Sequence, residues 1–261
     1  MAVQFPAASR RSAQPRVLHS VPQRRIAVPD DILRTLREVK FFSRWPQDLL
    51  SAVAAASTIL DVLPGQEFVR HGQKLEGAYV IAEGEITIGV LNTDGRRYVR
   101  RYAGRNQVYG LLSMFDGQPI PQFYAARTPT RIIIVPKAAI LAALEREPAL
   151  WAGVVEWWSA IHRRLLSSLH EIAFDSLRVR VIRALLAYAR QFGMNDLPSQ
   201  AVELRLNQDE LSQMIGMTRQ SVSREVKRLE REGLIDVVYG GIVLKAPQEL
   251  ERVAESGRRD D

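Results

Sequence analysis

The chain has 261 residues, a formal charge of +7, 46% hydrophobic and 25% charged side chains, the make-up of a globular protein long enough for about two domains. It contains no cysteine, which excludes disulfides, thiolate metal sites, cysteine-held iron–sulfur clusters and a cysteine nucleophile. No apolar run is long enough for a transmembrane helix, so no membrane partner is expected, and the basic surplus favours nucleic acid.

That surplus is unevenly placed. Residues 1–28 hold five arginines and no acid, residues 29–175 are about neutral, residues 176–247 carry +3 and the last fourteen carry −2. The first stretch is proline-rich with little apolar periodicity and reads as a disordered basic arm. No apolar segment follows its Arg10-Arg11 pair, so an export signal is not expected.

From residue 29 the pattern becomes ordered. "PDDILRTLREVKFF" and "QDLLSAVAAAS" read as short helices, the first opened by Pro29 and two aspartates that suit a helix N-terminus. Between Thr58 and Pro136, β-branched runs such as "AYVIAEGEITIGVL" and "TRIIIVP" alternate with glycines, and Thr93-Asp94-Gly95 is a hairpin turn signal. An antiparallel jelly-roll-like unit is predicted there.

After Lys137 the periodicity is helical. Trp151, Val154, Trp158, Ile161, Leu165, Ser168 and Ile172 step alternately by three and four, a seam that suits either a partner helix or the protein's own barrel. The polar flanks at His162, Arg163 and Arg164 favour the partner, so homodimerisation is expected. Asp175 or Ser176 can cap the next helix, "LRVRVIRALLAYARQF", which stops at Gly193. "MNDLPSQAVELRL" reads as a loop with room for one short strand.

Asn207 with Glu210 then forms a capping-box pattern, Gly216 ends that helix, and Thr218 can cap another. Short helix, glycine turn, longer helix is the helix-turn-helix outline, and Tyr239-Gly240-Gly241 suggests a hairpin wing after it. In "MTRQSVSREVKRL", Val222, Val226 and Leu229 mark an apolar face. Thr218, Arg219, Gln220, Ser221, Ser223 and Arg224 fall where a recognition helix reads base edges, and Lys227 suits phosphate. Arginine matches guanine O6/N7 and glutamine matches adenine N6/N7. A solvated helix paired through Glu225 and Glu230 is the bland alternative.

Taken in order, residues 40–247 resemble the cAMP receptor protein/FNR (Crp/Fnr) family of transcription regulators. The resemblance rests on the β-roll glycines, "YGLLSMFDGQ", the long helix, "EIAFDSLRVRVIRALLAYARQ" and the helix-turn-helix. It implies an α+β chain: a basic arm (1–28), a β-roll effector-type domain (29–150), a dimerisation helix (151–175), a winged helix-turn-helix (176–247) and a tail (248–261). It also implies a cytoplasmic homodimer on double-stranded DNA, with RNA polymerase as a further candidate partner and no enzymatic activity. By family position Arg219 and Arg224 match guanine-reading residues, Ser223 matches an FNR-like serine, and Gln220 replaces a common glutamate.

Members that bind cAMP have a Gly-Glu pair opening the cassette and an Arg-Ser or Arg-Thr pair near its end. Here Leu111 follows Gly110, while Ile120, Pro121 and Gln122 stand in place of the arginine pair. Leu165 and Leu166 replace a Thr-Ser pair that contacts adenine. An anion without its guanidinium would be left unmatched, so cAMP control of the usual kind is not expected. No cofactor is predicted and the effector is open: Gly110, Leu111, Leu112, Gln122, Leu165 and Leu166 mark a more apolar pocket, filled either by a hydrophobic ligand or by the protein's own side chains. Haem through His71, His162 or His170, a cupin-like metal barrel, and an architectural DNA coater are the alternatives; the barrel is disfavoured by its single histidine, His71.

Overall fold

The computed structural model describes residues 23–25, 29–91, 97–191 and 201–256. Strand β1 (Gln23–Arg25) precedes helices α1 (Pro29–Glu38) and α2 (Gln47–Ala56). Strands β2 (Thr58–Val62), β3 (Glu67–Val69), β4 (Gly77–Glu83), β5 (Ile86–Leu91), β6 (Arg97–Ala103) and β7 (Val108–Tyr109) lead to the short helix α3 (Leu111–Asp116). Strands β8 (Phe123–Ala126) and β9 (Thr130–Pro136) complete the roll, followed by α4 (Lys137–Arg146), α5 (Leu150–Phe174) and α6 (Leu177–Gln191). The C-terminal part comprises β10 (Val202–Leu204), α7 (Gln208–Ile215), α8 (Arg219–Arg231), β11 (Ile235–Val238), β12 (Gly241–Leu244) and α9 (Pro247–Ser256).

Two antiparallel sheets, ordered β1-β2-β9-β4-β7 and β3-β8-β5-β6, face each other as the β-roll. The run "RIIIVP" has no polar alternation because β9 is covered on both sides. Ile132 and Ile134 point between the sheets, whereas Ile133 and Val135 pack under α1, α2 and α4. Tyr124, Ile81, Ile86 and Ile88 fill the inter-sheet layer.

The winged-helix core is separate. Leu185, Leu211, Val222, Val226, Leu229, Ile235, Ile242 and Leu244 form it, and β10-β12-β11 make its small sheet. Tyr102 and Val99 of β6 also belong to that core, so the β-roll docks directly on the C-terminal domain.

Three expectations change. Gln23–Arg25, placed in a disordered arm, pair with Ile59–Asp61 of β2 and extend the sheet, because an open strand edge offers backbone partners to any extended segment. The first helix ends at Glu38 rather than Phe42: Val39, Phe42 and Trp45 continue as successive i→i−3 turns that bury Val39, Phe41, Phe42 and Trp45 under α2. Residues 248–256, read as part of a tail, form most of α9, which buries Leu250 and Ala254 against the winged-helix core. The turn at Thr93-Asp94-Gly95, the Gly193 stop, most of the basic arm and the last five residues lie outside the described residues.

Candidate functional site

The reading helix begins with its caps. Asn207 Oδ1 accepts the Glu210 amide at 3.0 Å, and Glu210 Oε2 accepts the Asn207 amide at 2.9 Å, which fixes the start of α7. Gly216 ends α7 with φ 70°, a conformation a side chain would strain. Thr218 then accepts the Ser221 amide at 3.2 Å and starts α8. Val222, Val226 and Leu229 are fully buried, as their spacing predicts.

With that face buried, Arg219, Gln220, Arg224 and Lys227 stand in solvent, while Ser221 and Ser223 are half-buried. Ser221 belongs to the cap, its hydroxyl 2.9 Å from that of Thr218. Arg219 Nε lies 3.0 Å from Asp209 Oδ1, a partner on α7. Glu225 is half-buried and turned off the exposed face, and Glu230 accepts the Val237 amide at 3.1 Å, which ties α8 to the wing. The solvent side of the first two turns is therefore cationic and amide-bearing. The Thr218 hydroxyl accepts the Ser221 amide and donates to the Ser221 hydroxyl, so both hydroxyls take part in the helix start.

The cassette of the β-roll is arranged differently. Gly110 has φ 85°, and a Cβ there would sit 3.1 Å from the Gly77 carbonyl. Its amide meets the hydroxyl of Tyr124, which is 1% exposed and donates to Gln122 Oε1 at 3.3 Å. Phe68 and Tyr109 lie 6.0 and 5.7 Å from the Tyr124 ring. Tyr109 accepts from Arg101 and donates to Gln107, both at 2.5 Å. Burial raises the pKa of Tyr124 and Tyr109, the latter against the opposing pull of Arg101.

Leu111 and Ile120 are 1% and 3% exposed, Leu111 packed beneath the helices and Ile120 between the sheets. Gly110 and Gln122 thus come together around Tyr124. Leu112, Leu165 and Leu166 instead face solvent at 46%, 45% and 52%, so the lining expected from them is not assembled within one protomer. The spaced residues place Leu112 on the outer side of α3 and Leu165 and Leu166 on a part of α5 that leaves its own barrel.

Helix α5 needs one correction. Val154 is buried in the protomer's own core and Trp157 packs edge-on against Phe41 at 5.5 Å. The exposed apolar stripe runs through Trp151, Val155, Trp158, Leu165 and Leu169, with Ile161 half-buried beside it. Trp151, Trp158 and Leu165 of the expected seam lie on this stripe, whereas Val154 does not, because the protomer's own core claims it. The side chains of His170 and Ile172 are outside the described residues. His71 and His162 are exposed, and among the described residues no cluster of three metal-ligating side chains occurs. No described helix is long and apolar enough to cross a membrane.

Neither Tyr124 nor Arg127 stands out in the sequence; Arg127 in particular draws its role from partners distant along the chain. Arg127, directly after β8, reaches Glu85, Tyr188, Arg205 and Glu210.

Comparison with known proteins accounts for both parts. A cyclic nucleotide-binding domain matches residues 59–147, and a Crp-like helix-turn-helix domain matches residues 179–253. Over 207 residues the chain is 25% identical to the CRP-like cAMP-activated global transcriptional regulator of Mycobacterium tuberculosis, covering 78% of this chain and 92% of that one. It is also 25% identical over 190 residues to the global nitrogen regulator of Synechococcus elongatus, covering 72% and 86%. A transcriptional regulator of the CRP/FNR family from Thermus thermophilus matches with TM-score 0.55 at 25% identity, over 76% of this chain and 98% of that one. FixK2 from Bradyrhizobium japonicum shares the fold, with TM-score 0.64 at 19% identity over 75% and 96%. With these two domains in this order, the chain belongs to the Crp/Fnr family and is a DNA-binding transcription regulator rather than an enzyme.

Proposed function

We propose that the protein acts as a cytoplasmic homodimer that reads a near-palindromic DNA site and does so without cAMP. The observation that carries the cAMP reading is the occupied cassette. The position where cAMP-binding relatives have glutamate holds buried Leu111, and of Ile120, Pro121 and Gln122, which stand in place of the arginine pair, Ile120 is buried, Gln122 half-buried and Pro121 exposed. The Tyr124 hydroxyl already takes the Gly110 amide. An entering cyclic phosphate would have to displace a fully buried tyrosine and would find no guanidinium from this segment. The burial of Leu111, Ile120 and Tyr124 supports a cassette filled by the protein's own side chains, with a hydrophobic ligand as the other reading.

Dimerisation is supported by α5. From His162 to Leu169 every residue is exposed in the single protomer, including Leu165, Leu166 and Leu169 at 45–55%. Such a stripe needs a cover, and a second copy of the same helix meets it with a matching stripe. Two α8 helices held by that dimer would enter successive major grooves roughly 34 Å apart. RNA polymerase is a candidate partner of the DNA-bound dimer.

The test is selection of binding sites from random DNA by the purified protein with no nucleotide added, alongside native mass spectrometry and titration with cAMP. An enriched inverted repeat, two protomers per duplex and no heat with cAMP are expected. Binding without enrichment would instead make the chain an architectural DNA coater. A saturable cAMP signal would overturn the effector reading.

A further inference from the structure

The β-roll and the winged helix are connected through the α5–α6 junction near Asp175, but they also touch directly. Arg127 sits at the centre of that second contact, with its side chain 18% exposed. On the β-roll side its Nη1 donates to Glu85 Oε2 at 2.8 Å. On the other side it donates to the Tyr188 hydroxyl at 2.6 Å, to Glu210 Oε1 at 2.9 Å and to the Arg205 carbonyl. The guanidinium also lies over the Tyr102 ring, 4.5 Å from its centroid, and Tyr102 meets Tyr188 edge-on at 6.0 Å.

Glu210 makes this contact specific. Its other oxygen caps α7 by accepting the Asn207 amide at 2.9 Å. One carboxylate thus joins the start of the first helix of the helix-turn-helix to the β-roll. The exposed face of α8 is left open, because Arg219, Gln220, Arg224 and Lys227 are all in solvent. The contact orients the reading head without covering it.

We propose that Arg127 is a positioning residue for DNA reading, a strut that fixes the angle of α7 and α8 against the β-roll of the same protomer so that both half-sites can be met together. The proposal rests on the dimeric two-half-site reading above. Without Arg127 the apolar contact of Tyr102 and Val99 would hold the second junction by itself, each reading head would swing further, and the second would find its half-site at a lower effective concentration. A planar fork is required, since one guanidinium serves acceptors from both domains; a lysine ammonium cannot span them in the same geometry. Removing it leaves the Glu85 and Glu210 carboxylates, 23% and 21% exposed, without the cation between them.

The test compares Arg127→Gln, Arg127→Lys and Tyr188→Phe with wild type on two duplexes, the full inverted repeat and a single half-site, with hydrogen exchange measured on the DNA-free protein. For Arg127→Gln, full-site binding is expected to weaken about tenfold while half-site binding stays within about twofold, because only the paired engagement depends on the strut. Arg127→Lys and Tyr188→Phe are expected to fall between, and amides of β6 and α7 are expected to exchange faster. Equal weakening on both duplexes would overturn the proposal, since a folding defect or a direct DNA contact acts on each half-site alone. Unchanged or stronger full-site binding would overturn it as well. If wild type itself shows no preference for the full site, the dimeric reading has failed. Exchange at β6 and α7 then decides the strut: faster exchange in Arg127→Gln supports it, and unchanged exchange overturns it.

Discussion

Asp209 on α7 holds Arg219 on α8, with Oδ1 and Nε 3.0 Å apart at the edge of the reading face. Both side chains are more than half exposed. A pair this wet contributes at most about 1 kcal/mol to stability. Its consequence lies in binding, because Arg219 must leave the carboxylate to reach a base edge or phosphate. Asp209→Asn is therefore expected to leave the melting temperature within about 2 °C of wild type while tightening DNA binding about threefold. Fluorescence anisotropy and a thermal melt on the same sample check both halves; a weaker complex would mean that Asp209 presents the arginine rather than competing for it.

The two faces of α8 predict opposite phenotypes. Arg224 is exposed, so Arg224→Ala is expected to cost about 1–3 kcal/mol of specific binding with the fold intact. Leu229 is fully buried, so Leu229→Ala is expected to cost about 2–5 kcal/mol of folding stability. Denaturant unfolding separates them. Should Arg224→Ala unfold the domain, the exposed face has been assigned to the wrong side.

Much of this division is legible in the sequence alone, because the signals are local. Asn207 with Glu210, Gly216 and Thr218 each act within one turn, and their hydrogen bonds form where the spacing places them. The placing of Val154 on α5 is not legible. Val154–Val155, Trp157–Trp158 and Leu165–Leu166 are adjacent apolar pairs, so two seams satisfy the same periodicity. Packing against Phe41 and the neighbouring core chooses between them, and that is tertiary information. Arg127 is beyond reach for the same reason, since Glu210 lies 83 residues away in the chain. Helix α9 is a different failure: Pro247 at its start, Glu249 in the first turn and Leu250 with Ala254 are ordinary helix signals that the acidic ending obscures.

The exposed stripe of α5 gives a sharp test of dimerisation. Leu165→Glu combined with Leu169→Glu places two charges on the exposed stripe, where they would be buried only if a partner helix covers it. Sedimentation is expected to show a folded monomer that melts lower than the dimer, because the partner's contribution is lost, and that loses preference for the inverted repeat. Val154→Ala is expected to do the reverse, lowering stability by about 1–3 kcal/mol while leaving the dimer assembled, because Val154 serves the protomer's own core. A dimer that survives the double glutamate variant would place the interface elsewhere.

The buried tyrosines predict an alkaline limit to stability. Burial is the leading cause that raises the pKa of Tyr102, Tyr109, Tyr124 and Tyr188, with Glu210 adding to the effect at Tyr102 and Arg127 opposing it at Tyr188. A phenol that holds its proton more tightly when folded contributes stability that is complete below its unfolded pKa. That contribution is lost as pH rises through the folded value. These groups therefore give no slope near neutrality, and the melting temperature is expected to fall from about pH 10 upward, where unfolded tyrosine ionises. Tyr124→Phe removes one such group together with its contacts to Gly110 and Gln122, so it is expected to start from a lower melting temperature and fall less steeply in alkali. Phenolate absorbance followed through the melt in wild type and in Tyr124→Phe isolates the Tyr124 proton as the difference between them, since Tyr98 and Tyr239 are exposed in the fold; a difference that develops before unfolding would mean that the cassette is open to water and that Tyr124 does not fill it.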